Sequence, residues 1–215
     1  MVASWGVLIL KKDFLEAYIN LAVVCKLNGC FDEAIENYKQ VIRLKPDYLE
    51  AYNNLGIIYG EIRKFKEASD CFKKIKLTNK KFYDAYFNES FIFLLQSKFK
   101  KGFDLYEYRW KATSRPEDPH YDLNLKLWDG KKFNGTLLVW SEQGIGDHLF
   151  FGRMVWCLNS YAKKIIFIVD KRLVQLFKDS LFSQSINNIE VVSYDKNNLV
   201  TNFDKHIPSG SLGKF

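Results

Sequence analysis

Apolar positions in the first half of the chain recur at helical spacing, two blocks to a cycle, and the cycle itself repeats. "LEAYINLAVVCKLNGCFDEAIENYKQVIRLKPDY" from Leu15 and "LEAYNNLGIIYGEIRKFKEASDCFKKIKLTNKKF" from Leu49 superimpose without a gap, and "YDAYFNESFIFLLQSKFKKGFDLYEYRW" from Tyr83 continues the register. The columns Ala17/Ala51/Ala85, Tyr18/Tyr52/Tyr86, Phe31/Phe65/Phe99 and Ala34/Ala68/Gly102 coincide. Small residues at fixed positions suit close helix crossings, and aromatic residues fill the gaps beside them. Each cycle therefore predicts one helix pair of a stacked solenoid.

The register also reaches the N-terminus, because Leu10, Lys11 and Asp13 align with Leu44, Lys45 and Asp47. Residues 1–13 are thus expected to form the second helix of a half repeat, ahead of repeats starting at 15, 49 and 83. The apolar opening "MVASWGVLIL" has no basic segment before it and no small-residue cleavage site after it, so it does not read as a signal peptide. A solenoid cut in mid-repeat exposes apolar surface, which points to a fragment or to a start at an internal methionine.

The periodicity stops in "FDLYEYRWKATSRPEDPHYD", where Pro116 and Pro119 bracket two acids. This divides the chain into a solenoid over 1–112, a linker over 113–126 and a second domain over 127–215. From Thr136 the pattern alternates. "TLLVWS", "KIIFIVD" and "IEVVSY" are strand-like, with helices expected from about Asp147 to Ser160 and from about Lys171 to Leu181. Apolar strands separated by helices predict a parallel βαβ sheet, which binds ligands at the carboxyl ends of its strands.

The candidate chemistry lies where the first strand gives way to the first helix, in "SEQGIGD" from Ser141. Gly144 and Gly146 suit a tight turn and a close approach of backbone to ligand. Glu142, Gln143, Gly144 and Gly146 are candidate substrate-binding positions, and Asp147 is the candidate catalytic residue. Its two readings are an N-cap that accepts free amide hydrogens and a general base aimed at a bound hydroxyl. A dinucleotide fingerprint would need glycine at position 149, where Leu149 stands, although Asp170 could still hold a ribose. No Gly-Lys-Ser/Thr follows the turn, so it is not a phosphate loop. Ser141, Asp147 and His148 cannot readily line up as a triad from one turn, and His148 reads as a surface residue. Metal-ligand spacing is absent.

Composition narrows the class further. With 47% apolar and 16% aromatic side chains over 215 residues, the chain can bury one large core or two modest ones. The net charge of +7 is spread along the chain without a dense basic patch, which argues against nucleic acid. No apolar run is long enough for a membrane span. Cys25, Cys30, Cys71 and Cys157 follow neither CxxC spacing nor a disulfide framework, which favours a reducing cytoplasm and leaves the glycosylation-like triplets at Asn88 and Asn134 accidental.

The repeats resemble the tetratricopeptide-repeat family, through Tyr52, Leu55, Gly56, Tyr59, Ala68, Phe72 and the closing Pro46. The second and third copies lack that proline, and Glu89-Ser90 replaces Leu-Gly in the third. Asn20, Asn54 and Asn88 form one polar column, which resembles the asparagine ladder inside the repeats of O-linked N-acetylglucosamine transferases. That resemblance implies a peptide or protein partner clamped by its backbone in the repeat groove; the other reading is bonding between neighbouring repeats.

"GFDLYEYRW", "LWDGKKFNGTLLVWSEQGIGD", "FFGRM" and "DKHIPSGSL" occur in the order seen in bacterial repeat proteins with a heptosyltransferase-like glycosyltransferase domain. Gly213 stands where that family more often has proline. The resemblance implies a tetratricopeptide-repeat α-solenoid followed by a partial Rossmann-like α/β domain, the first half of a GT-B fold, with Asp147 as base. It implies no cofactor beyond a nucleotide-sugar donor, held by a second domain that these residues do not supply. The expected function is the acceptor side of a glycosyltransferase acting on a protein or glycan hydroxyl. The alternative is a non-catalytic binding adaptor with a vestigial α/β cap.

Overall fold

The computed structural model describes residues 2–113, 122, 126–142, 144–183, 186–195 and 199–215. The expected linker falls largely outside the described residues. The chain divides into two compact units, Met1–Arg115 and Pro116–Phe215.

The first unit is a run of helices: α1 (Val2–Leu27), α2 (Phe31–Leu44), α3 (Leu49–Glu61), α4 (Phe65–Thr78), α5 (Tyr83–Leu95) and α6 (Phe99–Tyr106), closed by a 3-10 turn over Glu107–Trp110. Within each pair the helices pack where the sequence columns say they should. Ala51, Ala68, Ala85 and Phe72 are fully buried, and a methyl group added at Gly56 would come within 2.7 Å of the Phe72 ring. The small residue is therefore required by the aromatic ring lying across it.

The turn inside each pair is built the same way three times. Gly29, Arg63 and Ser97, each one repeat after the last, have φ of 76°, 60° and 58°. After each of them a backbone amide reaches back one residue further than an α-helical bond would: Cys30 to the Cys25 carbonyl, Lys64 to Tyr59 and Lys98 to Phe93. This is the Schellman closure of a helix.

Between repeats, Lys76 on α4 forms an ion pair with Glu89 on α5, whose carboxylate is buried. That pair explains how repeat three accommodates an acid where Leu55 stands in repeat two. At the N-terminus the structure departs from the sequence register. Residues 2–13 continue α1 without a break, whereas a turn was expected over Lys11–Asp13. Lys12 stands where Pro46 interrupts the next copy, and lysine permits a helix to run on.

The second unit is a four-stranded parallel sheet of β1 (Thr136–Trp140), β2 (Lys164–Val169), β3 (Ile189–Ser193) and β4 (Lys205–Pro208), in the order β3-β2-β1-β4. α7 (Ile145–Val155) joins β1 to β2, and α8 (Val174–Ser183) joins β2 to β3. Leu137, Val139, Ile165, Phe167, Val169, Val191 and Ile207 alternate onto one face of the sheet, in a single core with Val155 and Phe177. The other face carries Leu138, Trp140, Ile166, Ile168 and His206, all buried as well, as continuous apolar runs in parallel strands predict. Buried His206 is held at both ring nitrogens. Nδ1 accepts from Trp140 Nε1 at 3.1 Å, which leaves Nε2 to donate to the Asp122 carbonyl, also at 3.1 Å.

Candidate functional site

The strand order places the site. β1 connects to β2 on one side and pairs with β4 on the other, so the loops leaving the carboxyl ends of β1 and β4 lie side by side at the rim where parallel sheets bind ligands. Ser141 through Asp147 leaves β1, and the 3-10 turn over Ser209–Lys214 leaves β4.

Asp147 is the third residue of α7 and is half-buried. Its Oδ2 accepts from the Gly144 amide at 3.3 Å, while its own amide donates to the Gly144 carbonyl at 2.9 Å. The N-cap is therefore Gly144 rather than Asp147, which sits at the third helical position and reaches back to the N-cap amide with one carboxylate oxygen. Oδ1 has no protein partner among the described residues. An ionised carboxylate in this position also complements the positive end of the helix dipole.

The glycines have a different role from the one expected of them. Gly144 has φ of −86° and Gly146 lies within the helix, so neither needs the conformational freedom of glycine. What they leave is space. A methyl group added at Gly146 would meet nothing within 4 Å, and one at Gly144 would meet only Asp147 Oδ2, at 3.8 Å.

Glu142, expected to contact substrate, is buried, and its Oε1 accepts from the Gly210 amide at 3.0 Å. It ties the loop after β1 to the loop after β4. The hydroxyls of Ser141 and Ser209, next to that contact, are buried without a hydrogen-bond partner among the described residues. Gln143 lies outside the described residues.

At the end of β2, the Asp170 amide donates to His148 Nδ1 at 3.2 Å, so His148 is engaged and half-buried rather than a free surface residue. Both Asp170 oxygens are taken by Arg172, through a bidentate pair at 2.9 Å. The Arg172 guanidinium holds the Asp170 carboxyl well below the usual carboxylate range. A ribose hydroxyl would have to share those oxygens with Arg172.

The asparagine column divides. Asn20, Asn54 and Asn88 lie on α1, α3 and α5, the first helix of each pair. Asn88 Nδ2 donates to Asn53 Oδ1 of the preceding repeat at 3.0 Å. Asn20 is exposed and Asn54 half-buried, and neither side chain has a protein partner among the described residues.

Two parts of this arrangement carried no signal in the sequence. The Ser209-Gly210-Ser211 turn was visible only as part of a motif, because its partner Glu142 is 68 residues away. The αL column at Gly29, Arg63 and Ser97 shares no residue type. No group of three or more potential metal-ligating side chains is found among the described residues, and no described helix is long and apolar enough to cross a membrane.

Comparison with known proteins bears on the first unit most directly. The family described as TPR repeat matches residues 24–62, and that described as Tetratricopeptide repeat matches residues 49–80. Among solved structures, the chain is similar to the Arabidopsis OM64 TPR domain (17% identity, TM-score 0.43, covering 46% of this chain and 81% of that one). It is similar to the TPR2B domain of yeast Sti1 in its complex with pHsp70 (16% identity, TM-score 0.43, 46% and 79%). It is also similar to an O-GlcNAc transferase mutant from Thermobaculum terrenum (11% identity, TM-score 0.45), of which it spans 42% while 85% of its own length is covered. Comparison with curated proteins returns no significant match. The described residues thus form helical repeats of tetratricopeptide type followed by a small parallel α/β sheet of four strands.

Proposed function

We propose that this chain is the acceptor-side portion of a repeat-containing glycosyltransferase. The repeats bind a protein or peptide along α1, α3 and α5, and the α/β unit receives a hydroxyl at the carboxyl rim of its sheet. The observation that carries the reading is the divided use of Asp147. Oδ2 secures the turn to the Gly144 amide, and Oδ1 has no protein partner among the described residues, beside the open space over Gly144 and Gly146.

A base so fixed takes the proton of the acceptor hydroxyl as its oxygen attacks the anomeric carbon and the nucleoside diphosphate departs. Glu142 joins the loops that leave β1 and β4. The reading requires a second α/β domain to hold the nucleotide-sugar, because stabilising the leaving diphosphate is a large part of the catalysis. The asparagines support the binding half of the proposal, since Asn20 and Asn54 keep both donor and acceptor for a peptide backbone.

A second reading, a protein-binding adaptor, is favoured by one specific observation. The contacts recorded for Asp147 and Glu142 at the rim, to the Gly144 and Gly210 amides, serve the fold by themselves. Incubating the protein that carries this chain with labelled nucleotide-sugars and protein acceptors separates the two. Label entering an acceptor supports the transferase; neither label transfer nor nucleotide-sugar binding, with peptide binding retained, supports the adaptor.

A further inference from the structure

The turn that closes the first helix of a repeat joins the same two columns three times: Cys25 and Cys30, Tyr59 and Lys64, Phe93 and Lys98. In a Schellman closure these two positions lie side by side, and their side chains commonly touch. Repeat three shows that contact, with Lys98 Nζ 5.9 Å from the centre of the Phe93 ring. Repeat one is the copy with cysteine in both columns. The Cys30 amide donates to the Cys25 carbonyl at 2.8 Å. Ordinary bond lengths across such a bond keep the two Cα atoms inside the limit of about 6.8 Å that a disulfide spans.

Both cysteines are free thiols, in unlike settings. Cys30 is exposed at the N-cap of α2, and Cys25 is buried. The Cys25 Sγ donates to Glu33 Oε2 at 3.6 Å, and Glu33 lies in the first turn of α2. That bond aims the buried sulfur at the turn from which Cys30 projects. Burial, with the Glu33 contact behind it, pushes the Cys25 thiol up, so it stays protonated at neutral pH.

We infer that Cys25 and Cys30 form a reversible disulfide, closed by exchange with a small-molecule disulfide of the glutathione type. The pairing is set by the closure of α1 rather than by a cysteine framework in the sequence. Cys30, its proton lost to solvent, attacks one sulfur of glutathione disulfide, and the first glutathione thiolate leaves. Cys25 then attacks the Cys30 sulfur, its proton passing to Glu33, and the second glutathione thiolate leaves. Two protein thiols are oxidised to one disulfide, and one glutathione disulfide is reduced to two glutathiones.

The test uses the full chain with Cys157→Ala, which removes another exposed thiol. The protein is equilibrated with glutathione disulfide, quenched with acid, alkylated and digested with trypsin, which cuts after Lys26 between the two cysteines. Mass spectrometry should find the flanking peptides joined through Cys25 and Cys30, from protein whose helicity by circular dichroism is unchanged. Adding Cys25→Ala should raise the glutathione adduct on Cys30 about tenfold or more, because the second attacking thiol is gone. A glutathione adduct that persists on Cys30 beside Cys25, or thiols that stay reduced, overturns the inference. So does a disulfide between two chains, or one that joins Cys25 to Cys30 only as helicity is lost.

Discussion

Asn20, Asn54 and Asn88 share a sequence column and yet differ in what holds them. Asn88 is spent on Asn53, and its removal costs a hydrogen bond of about 1 kcal/mol. Asn20 and Asn54 have no such partner among the described residues, so replacing both with alanine should change stability by less than about 0.5 kcal/mol. If they clamp a ligand, the same pair of changes weakens peptide binding about tenfold or more. Denaturant unfolding and peptide titration of one double variant read the two quantities separately, and unchanged affinity would count against the groove.

Cys71 is a residue whose chemistry the interior has altered. Desolvation, reinforced by Asp70 and Glu67, pushes its thiol up from 9.0 to about 12. A thiol with a raised value in the folded state favours folding fully while the unfolded thiol is also protonated. That contribution is lost as pH rises from about 9 toward 12. Stability of the repeat unit should hold below about pH 8 and decline above about 9, and Cys71→Ala should flatten the first part of the decline, where tyrosines do not yet titrate. A slope that Cys71→Ala leaves intact would show that the thiol is not its source.

The position of Asp147 was legible in the sequence, because a strand-like run, a short polar turn and an amphipathic stretch follow one another. Its partners were not. Glu142 meets Gly210, and Trp140 meets His206, across 68 and 66 residues, and nothing local announces that β4 adds beside β1.

At the scale of the elements, the repeats were readable because their interfaces reuse the same residue types at a fixed spacing. Phe72 across Gly56 is one example. Their turns were less readable, since the left-handed position carries glycine in one copy and Arg63 and Ser97 in the others. A left-handed conformation costs a non-glycine residue about 1 kcal/mol. Both side chains are exposed, so Arg63→Gly or Ser97→Gly should stabilise the repeat unit by up to that amount, and Gly29→Ala should destabilise it similarly. Equilibrium unfolding in urea checks the sign. Opposite signs at positions 63 and 29 are expected, and destabilisation at both would mean that the side chains contribute contacts that outweigh the strain. The third repeat departs from the others at Glu89, where a buried ion pair to Lys76 replaces an apolar contact. A family pattern flags such a position as irregular without showing the cation that compensates it.

For the molecule as a whole, fold class was accessible from the change of period alone: helix pairs recurring at a constant interval, then short apolar runs alternating with helices. Strand order was not, and strand order is what brings the loops after β1 and β4 together at the rim. The functional account joins the two units through chemistry: repeats that hold a protein, and a rim where one carboxylate oxygen secures a turn while the other has no protein partner among the described residues.

Its most direct test is the initial rate of sugar incorporation into a protein acceptor by the protein that carries this chain, with Asp147 and with Asp147→Asn. Asparagine keeps an oxygen to accept the Gly144 amide but cannot take a proton. The account predicts unchanged circular dichroism and peptide affinity with a rate lower by about 100-fold or more. Equal rates for the two proteins would contradict it.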